Sequence, residues 1–292
     1  MSSLPPEFFR FLERAESVLA RVETLLPSLP EAVDWRAHAY RWRKQQGQGR
    51  LEAVLHPHHI RAEDLVGVEE QISRIDANTR QFVAGRSANN VLLTGARGTG
   101  KSSLVKAMLH RYATQGLRLI EVDKEDLVDL PDIVEMVAGR TERYIVFSDD
   151  LSFESGEASY KALKSILDGS IAGTPDNVLI YSTSNRRHLM PEFMSENLDT
   201  RVENGEIRPG DTTEEKVSLS ERFGLWISFY PCDQDTYLAI CGHWLSEFGL
   251  SAAQIEASRA DALQWSLLRG ARSGRTAWQF ARDYAGRIEN GA

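Results

Sequence analysis

The stretch Val91-Leu-Leu-Thr94-Gly95-Ala96-Arg97-Gly98-Thr99-Gly100-Lys101-Ser102-Ser103 decides the fold. Four apolar or β-branched residues run into a glycine-rich turn. A lysine and two hydroxyls follow, and then an apolar periodicity that reads as helix. From Gly95 to Ser102 the spacing is G-x-x-x-x-G-K-S, the phosphate-binding P-loop pattern in a strand–loop–helix context. The glycines let the backbone curl so that its N–H groups converge on an anion. The N-terminus of the next helix adds partial positive charge at the same place. Lys101 is expected to reach the outer phosphates of a nucleotide, and the Ser102 hydroxyl to ligate Mg²⁺. A glycine-rich turn with a chance lysine is the competing explanation, and the intact strand, turn and helix argue against it.

The rest of the chain bounds the answer. Its 292 residues are 42% hydrophobic and 26% charged, the profile of a soluble globular protein with a real core. A net charge of −8 excludes a global positive field for nucleic acid but leaves room for a local basic patch. No apolar run is long enough to span a membrane. The N-terminus lacks a basic start followed by an apolar stretch, so no signal peptide is expected and the predicted location is cytoplasmic. The two cysteines, Cys232 and Cys241, are expected to be free thiols rather than a disulfide or a metal pair.

Residues 7–26 carry Phe8, Phe11, Leu12, Ala15, Val18, Leu19, Val22, Leu25 and Leu26 at three/four spacing, which predicts an amphipathic helix. Its stripe is expected to pack on the main domain, with a partner as the alternative. Between residues 35 and 61, Trp35, Tyr40 and Trp42 interleave with Arg36, Arg41, Arg43 and Lys44, before a His56-Pro-His58-His59 cluster. Basic residues among aromatics can stack on bases and hold phosphates. The expectation is instead a helix with a buried aromatic face and a solvated basic one, broken at Gly47 and Gly49. The histidines read as a connector rather than a metal site.

From Arg61 onward, short apolar runs alternate with helical stretches. Strands are predicted at 91–94, 117–122, 144–148, 178–183 and 225–230, which makes a parallel sheet with helices on both faces. Thr94, Asp149 and Asn185 fall at strand carboxyl ends, the edge where such sheets bind ligands. After Pro231 three helices are predicted, at 234–249, 251–268 and 275–288. The domains are therefore an N-terminal helical extension (1–60), an α/β nucleotide-binding domain (61–231) and a C-terminal helical part (232–292). The strand Tyr144-Ile-Val-Phe-Ser-Asp149-Asp150 ends in paired carboxylates. Asp149 suits a role opposite Ser102 on Mg²⁺, and Asp150 one as base or positioner of the attacking water. Two aspartates capping the next turn are the competing explanation.

With these pieces in place, residues 60–290 resemble the AAA+ ATPases. That family usually has Glu as the second acid, so the resemblance brings in Glu154 beside Asp150. It implies a polar reader of the γ-phosphate after the next strand, matched by Asn185 in Ser184-Asn185. It implies an arginine finger serving the neighbouring subunit, matched by Arg222 in Ser220-Glu-Arg222-Phe-Gly. It implies a lid arginine, matched by Arg275 in Ser273-Gly-Arg275-Thr, with Arg272 as the fallback. Val66 and Gly67 match the segment that contacts adenine. Within AAA+, Trp42-Arg43, Gly49-Arg50-Leu51, His56-Pro57-His58, Asp149-Asp-Leu-Ser-Phe-Glu154 and Ser184-Asn-Arg-Arg-His188 together resemble one uncharacterised bacterial family of unknown function.

The resemblance implies ATP and Mg²⁺ as ligands, a homo-oligomer, and remodelling of an unknown protein or nucleic-acid partner. A nucleotide-gated binding module with little hydrolysis and a small-molecule kinase are the alternatives. The acidic Asp123–Pro131 segment has no aromatic and no glycine, unlike a polypeptide-threading loop. The long polar stretch Ser195–Lys216 is either a reporter of nucleotide state to a partner or a disordered surface insertion, and the Arg186-Arg187-His188 triplet is a candidate contact to the phosphates or to a neighbouring subunit, with a structural role as the alternative.

Overall fold

The structure, a computed structural model, describes residues 6–25, 32–45, 47–153, 157–168, 175–185, 201–203, 206–208 and 219–289. The chain opens with helix α1 (Pro6–Leu25), followed by strands β1 (Ala39–Gln45) and β2 (Gln48–Ala53). Then come α2 (Glu69–Val83), β3 (Val91–Gly95), α3 (Lys101–Tyr112), β4 (Leu117–Glu121) and α4 (Leu130–Val137). They are followed by β5 (Arg143–Ser148), α5 (Ala158–Asp168), β6 (Val178–Ser184), the short pair β7 (Arg201–Glu203) and β8 (Glu206–Arg208), and β9 (Leu225–Phe229). Four helices close the chain: α6 (Gln234–Glu247), α7 (Ala252–Ala257), α8 (Arg259–Arg269) and α9 (Gly274–Glu289).

One seven-stranded sheet holds the order β2-β1-β4-β5-β6-β3-β9. Every neighbouring pair from β1 to β9 is parallel, and β2 runs antiparallel along the edge. Successive residues point to opposite faces, and both faces are apolar. Leu92, Ile120, Val146 and Ile180 enter the layer beneath α4 and α5. Leu93, Leu119, Ile145 and Leu179 enter the layer beneath α2 and α3. That double burial explains the near-continuous apolar runs of the central strands. A third core, built on Tyr237, Ile240, Leu245, Phe280 and Ala281, holds the C-terminal helices together. Asp233 caps α6 by accepting the Thr236 N–H at 2.7 Å. Arg61 ties this part to the sheet domain, pairing with Asp64 at 2.7 Å and with Glu247 of α6 at 2.9 Å.

Three expectations are corrected. Residues 39–53 do not continue a helical extension: β1 and β2 form a hairpin that joins the main sheet through β4. Tyr40 and Trp42 share one face of β1, as period two requires, and both are buried. The Trp42 indole donates to Asp129 at 2.9 Å, and a Cβ on Gly49 would stand 1.9 Å from its ring. Gly49 is thus a packing site rather than a flexible break. Arg41 pairs with Glu121 at 2.8 Å, Arg43 lies 3.5 Å from Asp123, and Lys44 pairs with Asp129 at 2.8 Å. Neither stacking rings nor unpaired cations remain in β1 for nucleic acid.

The second correction concerns α1. Its stripe does not bury on the main domain, for Phe11 is 67% exposed and Phe9, Val18 and Leu19 are exposed with it. Third, the helix expected at 251–268 is two helices meeting at Ser258. The histidine connector lies against α3, where the His59 ring meets the His110 ring edge-on with centroids 3.6 Å apart. Among the described residues no group of three metal-ligating side chains occurs, both cysteines are free, and no helix is long and apolar enough to cross a membrane.

Candidate functional site

The chain leaves β3 for β4, three positions away in the sheet, returns through β5 and β6, and then passes β3 to reach β9. β3 therefore sits at the point where the strand order reverses, and the crevice beyond its carboxyl end is where such sheets take ligands. The Gly95–Ser103 loop occupies that crevice. Gly95 has φ +138°, and a Cβ there would stand 2.1 Å from the Phe229 carbonyl oxygen, so only glycine lets β9 approach. Gly98 and Gly100 are also left-handed, at φ +78° and +99°. Helix α3 begins immediately after. Its first backbone bond runs from the Leu104 N–H to the Gly100 carbonyl at 2.8 Å, so the N–H groups of Lys101, Ser102 and Ser103 have no helical acceptor. The Thr99 hydroxyl donates to the Ala96 carbonyl at 2.9 Å and braces the loop.

Lys101 is 5% exposed. Its ammonium donates to the carbonyl oxygens of Gly95 (2.7 Å) and Ala96 (2.8 Å) and to Asn185 Oδ1 (3.0 Å). Burial pulls its pKa below the ordinary lysine value, with Arg97 and Arg275 pushing the same way and Asp149 and Asp150 opposing. A buried cation at a helix N-terminus, facing a ring of turned-in backbone, is the donor set that suits a polyphosphate.

The carboxylates come from β5, two strands away. Asp149 Oδ1 accepts the Ser102 hydroxyl at 2.6 Å and also the Thr183 hydroxyl. A hydroxyl and a carboxylate oxygen side by side are hard ligands of the kind Mg²⁺ takes. Asp150 has φ +55°, the one non-glycine in the left-handed region among the described residues. Aspartate tolerates that conformation better than most side chains. The Asp150 N–H donates to the Thr183 hydroxyl at 2.9 Å, and the Leu151 N–H to the Thr183 carbonyl at 2.7 Å, which holds the turn. Asn185 Nδ2 donates to Asp150 Oδ1, and Arg97 Nη2 to Asp150 Oδ2 at 3.1 Å. A continuous polar chain thus links Arg97, Asp150, Asn185 and Lys101.

The C-terminal helices touch the loop directly. A Cβ on Gly98 would meet Ser273 Oγ at 2.8 Å and Arg275 Cβ at 3.4 Å, so Arg275 stands beside the P-loop. Val66 packs into the C-terminal core, and a Cβ on Gly67 would stand 2.4 Å from Thr236 Cγ2 of α6. Leu65 approaches Gly100, with Cδ2 at 3.9 Å from a Cβ built there, so the 65–67 segment lies between the loop and α6. Arg222 is not brought to this site. It precedes β9, whose amino end pairs with that of β3 (Leu225 with Val91), and its guanidinium donates to Asp168. It therefore sits toward the opposite edge of the sheet from the loop. Glu154, Arg186, Arg187 and His188 lie outside the described residues, as does the 195–216 stretch apart from β7 and β8.

Two contributors escaped the sequence reading. Thr183 positions both acids, and its signal was the run of hydroxyls Ser182-Thr183-Ser184 that ends an apolar strand just before Asn185. Ser273 is the contact of the C-terminal helices on Gly98, and nothing in the sequence set it apart from an ordinary N-cap.

A parallel sheet with the glycine-rich loop at its reversal point and a helical C-terminal part against that loop is a fold shared with proteins of known structure. The Orc1 protein of Aeropyrum pernix, solved in complex with DNA, shares the fold at a TM-score of 0.51 and 16% identity, over 78% of this chain and 62% of that one. A chain of the E. coli MS115-1 HORMA:CdnC:Trip13 complex matches at 0.47 and 12%, over 76% and 89%. RuvB of Thermotoga maritima matches at 0.44 and 13%, over 76% and 71%. No curated protein matches the chain in sequence. The chain belongs to the family described as "Protein of unknown function (DUF815)", whose pattern matches residues 35–288.

Proposed function

We propose that this protein binds ATP with Mg²⁺ at the Gly95–Ser103 loop, hydrolyses it, and couples turnover to rearranging a protein or nucleic-acid partner. One observation carries the reading. Lys101 and Ser102 of the loop meet Asn185 and Asp149 of the neighbouring strands at the sheet's reversal point. In this reading Lys101 and the loop N–H groups hold the β- and γ-phosphates, and Val66 and Gly67 flank the base. Ser102 and Asp149 would hold Mg²⁺, which neutralises charge on the phosphates when bound. Asp150 accepts a hydrogen bond from the attacking water and orients it. Asn185 lies between Lys101 and Asp150 and registers the γ-phosphate. Arg275 adds positive charge from the C-terminal helices, which makes their position sensitive to what the loop holds.

Arg222 fits a different copy of the chain. Lying toward the far edge from its own loop, it serves the site of a neighbour, where a permanently charged guanidinium stabilises charge developing on the phosphoryl group. Activity then depends on assembly. ATP turnover per chain should rise with protein concentration and fall by at least about tenfold in Arg222→Ala, the loss typical of one removed transition-state contact. Turnover independent of concentration and of Arg222 would overturn the shared-site reading. Asp150→Ala should keep ATP binding and lose hydrolysis; unchanged turnover there would shift the water-positioning role to Glu154. Size measurement with and without ATP, alongside co-purification from the native cell, addresses assembly and partner together.

A further inference from the structure

We propose that Arg97 reads the third phosphate: it clamps Asp150 in the nucleotide-free chain, and a nucleoside triphosphate, unlike a diphosphate, draws it away. This rests on the ATP-site reading above and adds to it a device that frees the water-positioning acid only when hydrolysable substrate is present. The starting point is the state of Asp150. Both oxygens of its carboxylate are engaged, Oδ1 by Asn185 and Oδ2 by Arg97 at 3.1 Å. A carboxylate offers about four acceptor positions in all, so each donor already in place removes a direction from which water could approach. The turn that carries Asp150 is fixed by Thr183, so the carboxylate cannot leave its donors by backbone movement without losing those bonds.

Arg97 is the movable member. Its side chain is 76% exposed, and its contact with Asp150 is a single N–H to a half-exposed carboxylate. Exposed pairs of that kind are weak. The guanidinium carries five donors in a planar fork matched to phosphate oxygens. Arg97 also sits inside the loop, between Gly95 and Gly98, with its guanidinium on the acid that Asn185 links to Lys101. An outer phosphate bound by Lys101 offers that fork several oxygens at once and more negative charge than Asp150 does. Exchange of Arg97 from Asp150 to the phosphate is then favourable. A diphosphate leaves the third position empty, and Arg97 stays where it is. A ligand shifts such an equilibrium only by its differential interaction with the two states, and here the differential contact is one guanidinium.

The test is equilibrium binding of a non-hydrolysable imido analogue of ATP and of ADP, each with Mg²⁺, to the full chain. Arg97→Ala should weaken analogue binding by about tenfold, the loss of one charge-assisted contact, and change ADP binding by less than twofold. Equal weakening of both ligands, or of neither, overturns the proposal while leaving the ATP site intact. Asp150→Asn, which removes the clamp's anion, should tighten analogue binding by about two- to fivefold, the range of an exposed ion pair. That gain should disappear when Arg97 is already alanine, as a double-mutant cycle reads directly. A gain that persists without Arg97 overturns the clamp. If the unmodified chain binds neither nucleotide, the ATP-site reading and the proposal fall together.

Discussion

Replacing Gly98 by alanine should loosen the C-terminal helices from the phosphate loop, and the structure supplies the terms. Gly98 has φ +78°, where an L side chain costs about 1–2 kcal/mol. The new Cβ would also stand 2.8 Å from Ser273 Oγ and 3.0 Å from Ser273 Cβ. Ser273 cannot retreat freely. Its hydroxyl is bonded to Thr276 Oγ1 at 2.9 Å and accepts the Thr276 N–H at 3.2 Å, the bond that caps α9. Losing a cap costs about 1 kcal/mol, so the combined expectation is about 2–3 kcal/mol. At roughly 2–4 °C per kcal/mol for a chain of this size, the melting transition should fall by about 4–12 °C in calorimetry. Gly116→Ala is the control. Gly116 has a similar φ of +97° but nothing within 4 Å of its Cβ position, so that variant carries the backbone cost alone. The difference between the two variants isolates the Ser273 contact. Equal destabilisation by both, with unchanged nucleotide affinity in Gly98→Ala, would refute the claim that these helices bear on the loop through residue 98.

Three further outcomes are expected. Lys101→Met should abolish ATP-induced thermal stabilisation, through loss of a charge-assisted contact of about 1.5–3 kcal/mol, without lowering the melting temperature of the free chain. Burial depresses the Lys101 pKa in the fold, so its ammonium burdens the folded state at neutral pH, and that burden lifts only as pH rises through the folded value; a variant that still shifts with ATP would contradict the site. Trp42→Ala should cost about 3–5 kcal/mol in urea unfolding, because a buried indole leaves a cavity against Gly49; a loss below about 1 kcal/mol would mean that the hairpin adds little to the sheet. Burial alone would raise the Asp64 pKa, but the Arg61 side chain and backbone N–H overcome it and leave it lowered. Its contribution is therefore present above the unfolded value near 3.8 and lost as pH falls through the lower folded one. Asp64→Asn should flatten acid unfolding in that window, and an unchanged acid limb would remove Asp64 from the account.

The strands around the loop were legible because burial on both faces leaves continuous apolar runs, and Val91–Thr94, Tyr144–Ser148 and Val178–Thr183 are such runs. The loop was legible because its glycines, lysine and serine have little other use at that spacing. The β1–β2 hairpin was harder to see. Tyr40-Arg41-Trp42-Arg43 has the alternation of a strand with one polar face, yet its arginines drew attention to charge rather than period. Their carboxylate partners at 121–129 lie about eighty residues away and cannot be paired from sequence alone. The connection between Gly98 and Ser273 was hidden for a similar reason, since a contact across some 175 residues leaves no local pattern. Asp150 shows a different limit: its left-handed backbone is set by Thr183, and this favours the shorter acid at a position where the family resemblance leads one to expect glutamate.

The placement of β1 next to β4 also sets a timetable. The hairpin is local in sequence and can close within microseconds of leaving the ribosome. Its parallel partner begins at Leu117, about seventy residues after β1 ends, and at roughly 5–20 residues per second this takes about 4–14 s to be synthesised. For that interval Tyr40 and Trp42 have no sheet to complete and no Asp129 to receive the indole. The nascent chain therefore exposes the Tyr40–Trp42 face for seconds, ahead of the sheet core that will bury it, and this is the interval in which a chaperone would find it.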